Sequence, residues 1–264
     1  MIHSVPLSAL PFDVFIAFAI FCRVGAFFMT APAFGDFSLP PRMRLAGAFA
    51  VAAALIPVMS GAYPAMATGT NAVAANGVMS MMTVIGIEIL IGVFLGLSAR
   101  LFMAALNVAG QIIAFQMGLS LAQIFDPTQQ LQGAIVGGFL AILGTTMIFA
   151  TDLHHVMLVA LKDSYVFFAP ASLPDSGSLS QLMIGVMSNA FSLGLRLSAP
   201  FIMFGLVFFF GAGILNRLMP QAQVFFMLMP ANLMLGLMLL MMTTGLMMTI
   251  FLDGFEGFIT QFLG

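Results

Sequence analysis

Arg23, Glu88, Arg100 and Arg196 stand inside long apolar runs and Arg217 closes one, while Asp152, His154 and His155 gather in the stretch "TDLHH". These residue types could do chemistry. A carboxylate in apolar surroundings can carry a proton or couple to an ion, and an arginine can neutralise it. An Asp-His-His group offers ligands to a transition metal. Spacing limits each possibility. Glu88 and Arg100 are twelve residues apart, about 18 Å along a helix, so they cannot pair within one straight helix. A charge at a bilayer centre costs about 2.5–3.5 kcal/mol. Each of the five must therefore face protein, water or a counter-charge supplied by another helix or subunit, or snorkel from a helix end. They are the expected buried charges and subunit contacts.

The metal and catalytic readings fare worse. Adjacent histidines on a helix point about 100° apart, so His154 and His155 are poorly placed to share an ion, and only Asp152 and His155 fall on one face. A loop or helix-end role is expected, with no metal. The sequence has no G-x-S-x-G, no H-E-x-x-H, no glycine-rich phosphate loop and, with the lone Cys22, no Cys–His pair. No enzyme and no cofactor are expected.

The elements that must position these residues follow from composition. Of 264 residues, 62% are hydrophobic and 6% charged, against about 25% charged in soluble domains. Lipid or a large protein assembly must cover such a chain. Seven basic residues and a net charge of −2 exclude nucleic acid as a partner. No basic residue precedes the first apolar run and Arg23 interrupts it, so that run is expected to be retained rather than cleaved as a signal. Six apolar segments emerge: Phe12 to about Phe34, Met43 to Met59, Val78 to Val108, Gly133 to Ala150, Leu182 to Leu218 and Val224 to Leu252. Pro200 and Pro230 are expected to break the last two. The loop "SGAYPAMATGTNAVAANG" carries no charge, which suggests partial burial, and the section from "TDLHH" to "LPDSGSLS" reads as the longest polar stretch. Without an internal repeat, one all-α membrane domain, residues 1–264, is the economical reading. Twenty-four methionines, crowded in "FMLMPANLMLGLMLLMMTTGLMM", suit packing against several unlike neighbours.

One stretch does not read as a plain spanning helix. "QMGLSLAQIFDP" places amides, a serine and an Asp-Pro step amid apolar sequence. Gln116, Ser120 and Gln123 would share one helical face, Gly110 and Gly118 weaken the helix by up to about 1 kcal/mol each, and Pro127 disfavours helix at Asp126. Non-helical backbone at membrane depth is tolerated where protein buries it or it lines a cavity. A re-entrant, plug-like loop and a helix using its amides as interhelical glue both satisfy these residues.

"FCRVGAFFMTAPAFGDFSLPPRMRL", "GQIIAFQMGLSLAQIFDP" and "LGLRLSAPFIMFGLVFFFGAGILNRLMPQAQVFFMLMPANLMLG" together resemble the FliR family. That family is the R subunit of the flagellar type III export gate, related to the T subunit of virulence injectisomes. The likeness runs in order along essentially the whole chain. It implies a non-enzymatic, pore-forming subunit of the bacterial inner membrane and flagellar basal body. One copy would join P and Q subunits in a helical assembly, with the export-switch membrane protein and the large export-gate subunit as further partners and unfolded exported proteins as cargo. The resemblance also implies broken helical hairpins raised partly out of the bilayer. A plug loop would map onto about Gly110 to Pro127. Gln116, Met117, Leu119, Ile124 and Phe125 would make sealing contacts, with Ser120 among the plug residues. Gly110 and Gly118 would give flexibility, and Asp126-Pro127 would fix the exit. Deleting Gly110 to Asp126 is then expected to leave assembly intact and leak small solutes. The alternatives are an injectisome gate subunit and, from another class, a secondary transporter with Glu88 as its coupling site, which the absence of an inverted repeat opposes.

Overall fold

The computed structural model describes residues 12–35, 40–59, 78–119, 132–170, 176–219 and 224–260, with no strand among them. These residues form seven helices, in order: α1 (Phe12–Thr30), α2 (Pro41–Met59), α3 (Val78–Gln116), α4 (Gln132–Ala150), α5 (Leu153–Phe167), α6 (Ser176–Leu218) and α7 (Val224–Thr260). The chain is an all-α membrane protein, as its composition requires.

The helices are more continuous than the sequence suggests. Pro200 lies inside the 43-residue α6 and Pro230 inside the 37-residue α7, and neither breaks its helix. The 39-residue α3 runs through Gly110 to Gln116, past the end expected near Val108. The reason is the solvent. A glycine costs a helix about 1 kcal/mol and a proline about 3, but opening a helix among apolar neighbours strands several backbone groups at several kcal/mol each. Keeping the helix is the smaller cost.

The sequence also hides a helix. α5 falls in the section read as polar, yet Leu153, Met157, Ala160, Leu161, Ser164 and Tyr165 are buried along one face, a helical spacing of three and four. Its preceding residue, Asp152, takes a left-handed conformation, φ 59°, and ends the run of α4. The charge-free loop at residues 60–77 lies outside the described residues.

Among the described residues, four helices are long and apolar enough to cross a membrane, and the bent pair α4 and α5 would make a fifth. Three of them are longer than a crossing needs. The apolar stretches Met81–Gln116, Gly177–Leu218 and Met227–Thr260 have 36, 42 and 34 residues, about 50–63 Å of helix at 1.5 Å per residue, against a hydrocarbon core of about 30 Å.

Contacts divide the chain into two units. The first comprises Met1–Arg100, Asp152–Ile184 and Phe258–Gly264, and the second Leu101–Thr151 and Gly185–Gly257. In the first, α1 lies against α3 because Gly92 and Gly96 leave room for it. A Cβ on Gly92 would stand 2.8 Å from the Ala26 Cβ, and one on Gly96 3.0 Å from the Thr30 Cβ, so the G-x-x-x-G pair acts as small residues do between membrane helices. α2 packs on α1 through the Phe21–Phe49 and Gly47–Phe28 contacts. In the second unit, Phe102 of α3 packs against Phe251 and Phe255 of α7. Gly144 of α4 admits Leu106, and Gly194 of α6 faces the Ala105 carbonyl and Val108 of α3.

Candidate functional site

In the first unit two charges from different helices find each other. Arg23 of α1 and Glu88 of α3 are 0% and 1% exposed, and the Arg23 Nε donates to Glu88 Oε2 at 2.5 Å. The rest of the guanidinium is used by α5. Nη1 donates to Ser164 Oγ at 3.3 Å, Nη2 donates to the Phe168 carbonyl at 3.1 Å, and the Cζ lies 3.9 Å from the Tyr165 ring centre. Phe168 closes the C-terminus of α5, a helix with no basic residue in its own last turn. Arg23 therefore supplies from another helix the cation that a helix C-terminus favours. One arginine joins three helices by ion pair, hydrogen bonds and cation–π contact. Its counter-charge comes from within the chain, not from another subunit. The sequence singles out Arg23 and Glu88 as charges in apolar runs but gives no sign of Ser164 or Tyr165, which lie on a helix that reads as polar.

The other charges behave differently. Arg100, Arg196 and Arg217 are exposed in the single chain, where they are accessible to water or to another subunit. Arg217 sits in the last turn of α6, where a cation favours the helix dipole.

Asp152 and His155 share one face at the start of α5, as their spacing suggests, but the position of the His154 ring differs from expectation. The two histidine rings do not diverge: their centres are 4.1 Å apart, and the three ligand groups lie within 4.8 Å of one another. His155 Nδ1 is 3.5 Å from Asp152 Oδ1, and those two side chains are 68% and 77% exposed. Both histidines lie in the first turn of α5, directly after the left-handed residue Asp152, so the approach of their rings is set by their side-chain rotamers and not by a break in the helix. With Asp152 and His155 exposed and His154 half-buried between them, they form a surface cluster at a helix start.

In the second unit the opening of the plug-like stretch is described as far as Leu119. Ser120, Ile124, Phe125, Asp126 and Pro127 lie outside the described residues. Gly110 is buried within α3, six residues before its end, where a Cβ would meet the backbone of Gly137 on α4. Its role here is close approach of two backbones, and the helix is unbroken around it. α3 ends in two capping bonds: Met117 N–H donates to the Ile113 carbonyl at 2.9 Å and Gly118 N–H to the Phe115 carbonyl at 3.0 Å. Gly118 then turns left-handed, φ 79°, the usual way a glycine stops a helix. Met117 is 1% exposed and touches Gly236 of α7, so its side chain is occupied by its own chain. Leu119 is half-buried.

Because φ is positive at Gly118, a β-branched residue is strained there. Gly118→Val is expected to cost about 1–2 kcal/mol, while Gly118→Asn, which tolerates that region better, stays near wild type. The thermal unfolding midpoints of the purified variants check this, and equal midpoints for Val and Asn would remove the conformational argument.

Residues 14–258 match the family described as bacterial export proteins, family 1. Among curated relatives, the flagellar biosynthetic protein FliR of Caulobacter vibrioides is 37% identical over 235 residues, 88% of this chain and 89% of that protein. The protein of the same name from Pectobacterium carotovorum is 32% identical over 220 residues, 83% of this chain and 80% of its own. That of Bacillus subtilis is 27% identical over 232 residues, 86% of each.

Proposed function

We infer that this chain, which belongs to the bacterial export proteins of family 1, is a membrane component of the flagellar protein export apparatus, and we propose that it is a structural, pore-forming subunit of the export gate. On this reading it is not an enzyme. It sits in the inner membrane at the base of the flagellum, in one copy among P and Q subunits, and passes unfolded flagellar proteins. The large export-gate subunit and the export-switch protein are its expected further neighbours.

The observation that carries the reading is the mismatch between helix length and bilayer. About 50–63 Å of apolar helix cannot be covered by about 30 Å of hydrocarbon. Large apolar side chains on α6 and α7, such as Phe210, Met227, Met234, Met241 and Met242, are exposed. Contact with other apolar subunits covers both the excess length and these faces, and methionine adapts to unlike neighbours. The transport alternative loses its footing on a separate observation, since Glu88 is sealed against Arg23 and is no lone carboxylate.

Native mass spectrometry of the detergent-extracted complex, tagged on this chain and co-expressed from its own operon, tests the subunit role. One copy with several copies of two smaller membrane proteins is the expected composition. A lone chain or a homodimer would sink the reading.

The plug is proposed for the segment that begins at Leu119. A deletion starting at Gly110 is no longer the right experiment, because Ile113, Ala114 and Met117 are buried and their loss would empty the packing around α3. Replacing residues 119–126 with a Gly/Ser linker is expected to leave assembly intact and raise the membrane's permeability to small solutes. Unchanged permeability in cells carrying the assembled variant would argue against a plug.

A further inference from the structure

Gln116, the last residue of α3, and Met117, which follows it, are held by three separate contacts from two other helices of the second unit. The carbonyl of Gln116 is one of the final helix carbonyls, which lack an intrahelical donor. It accepts from Asn232 Nδ2 of α7 at 3.0 Å, and Asn232 is 3% exposed. One turn further along α7, Gly236 makes room for Met117: a Cβ there would stand 2.5 Å from the Met117 Cγ. On α6, Gly205 makes room for the Gln116 side chain, whose Cδ would lie 2.8 Å from an added Cβ. A donor placed on an orphan carbonyl and two absent side chains converge on two residues, immediately before the left-handed step at Gly118.

We propose that Asn232, Gly205 and Gly236 form a socket in which the end of α3 stays seated on α6 and α7 while the apparatus exports, with Asn232 as its positioning residue. The proposal rests on the export-gate and plug reading above. Its physical content is that the socket is not a contact broken during the export cycle. The amide is buried and its donor has one acceptor, so leaving the socket would strand both groups away from water. Met117 fills the space over Gly236 on the same face, so the helix end cannot rise off α7 without emptying that space.

The geometry supplies its own test. The Met117 Cβ is 3.3 Å from the position of a Cβ on residue 236, a few tenths of an ångström inside the ~3.5–4.5 Å separation of disulfide-linked Cβ atoms. In a chain whose Cys22 has been replaced by serine, Met117→Cys with Gly236→Cys is expected to form a disulfide on mild oxidation, read by maleimide labelling of the full complex. Export of flagellar proteins by this variant is expected to be the same with the bond closed as with it reduced. Loss of export on closing the bond, with recovery on reduction, would overturn the proposal, because the helix end would then have to leave its socket. Failure of the pair to cross-link would overturn it equally.

Asn232→Leu keeps the branched shape, with bulkier methyl groups, and removes the donor. It is expected to leave subunit composition unchanged and to raise permeability to small solutes. Where it prevents assembly, Asn232→Asp, which keeps the size and removes the N–H, is read in its place. If the 119–126 replacement leaks and the Asn232 variant does not, the socket fails and the plug reading stands. If neither leaks, the plug reading fails and takes the socket's role with it.

Discussion

Arg23→Met is expected to destabilise the protein by about 3–5 kcal/mol, because it leaves the Glu88 carboxylate buried without its counter-charge. The hydrogen bonds to Ser164 and the Phe168 carbonyl are lost with it, and the C-terminus of α5 loses its cation. Methionine fills most of the arginine's volume, so the loss is electrostatic rather than a cavity. The measurement is the thermal midpoint of the purified chain together with its steady-state amount in the membrane. The informative control is the double variant Arg23→Met with Glu88→Met. Replacing a buried ion pair by apolar groups of similar size is often neutral or better, so the double variant should recover most of what the single variant loses. If both variants lose stability equally, the cost lies in packing around Tyr165 and not in the unpaired carboxylate. Oε1 of Glu88 has no hydrogen-bond partner among the described residues, which makes the carboxylate more dependent on Arg23.

Gly110→Val should cost at least the ~1–3 kcal/mol typical of overpacking, because the obstacle is main chain. An added Cβ at Gly110 would sit against the Cα and N of Gly137 and 3.0 Å from the carbonyl carbon of Val136. Side chains can turn away, but helix backbones can only separate. The reciprocal change is milder, since a Cβ on Gly137 would meet Asn107 Oδ1 at 3.3 Å and the Asn107 Cα at 3.4 Å. Gly110→Ala should therefore unfold at a clearly lower temperature than Gly137→Ala. Similar midpoints would show that α3 and α4 can move apart freely and would dismiss close approach as the reason for glycine here.

The two sites differ in how far the sequence exposes them. Arg23 and Glu88 are conspicuous as charges in apolar runs, and the cost of stranding either one already demands a partner. Nothing in their separation along the chain identifies that partner, and the residues that complete the cluster sit on a helix whose polar residues disguise it. Gly110 and Gly118 look alike in sequence as two glycines eight apart. Their surroundings give them opposite roles, one admitting a neighbouring backbone and the other ending the helix with a positive φ. Asn232, Gly205 and Gly236 carry no sequence signal at all, because a contact between α3 and helices some 90 to 120 residues later has no local period to betray it.

By itself the sequence determined that the chain is all-helical, that apolar surroundings cover it, that its few internal charges need partners and that it resembles an export-gate subunit. Those conclusions rest on composition and on local spacing, which survive without knowledge of what lies opposite. The tertiary structure decided that Pro200 and Pro230 stay within their helices, that α5 exists, that Glu88 belongs to Arg23 and that Met117 and Gln116 are held by α7 and α6. Each of these depends on which distant atoms replace water around a backbone group or a charge, and only the folded chain brings those atoms together.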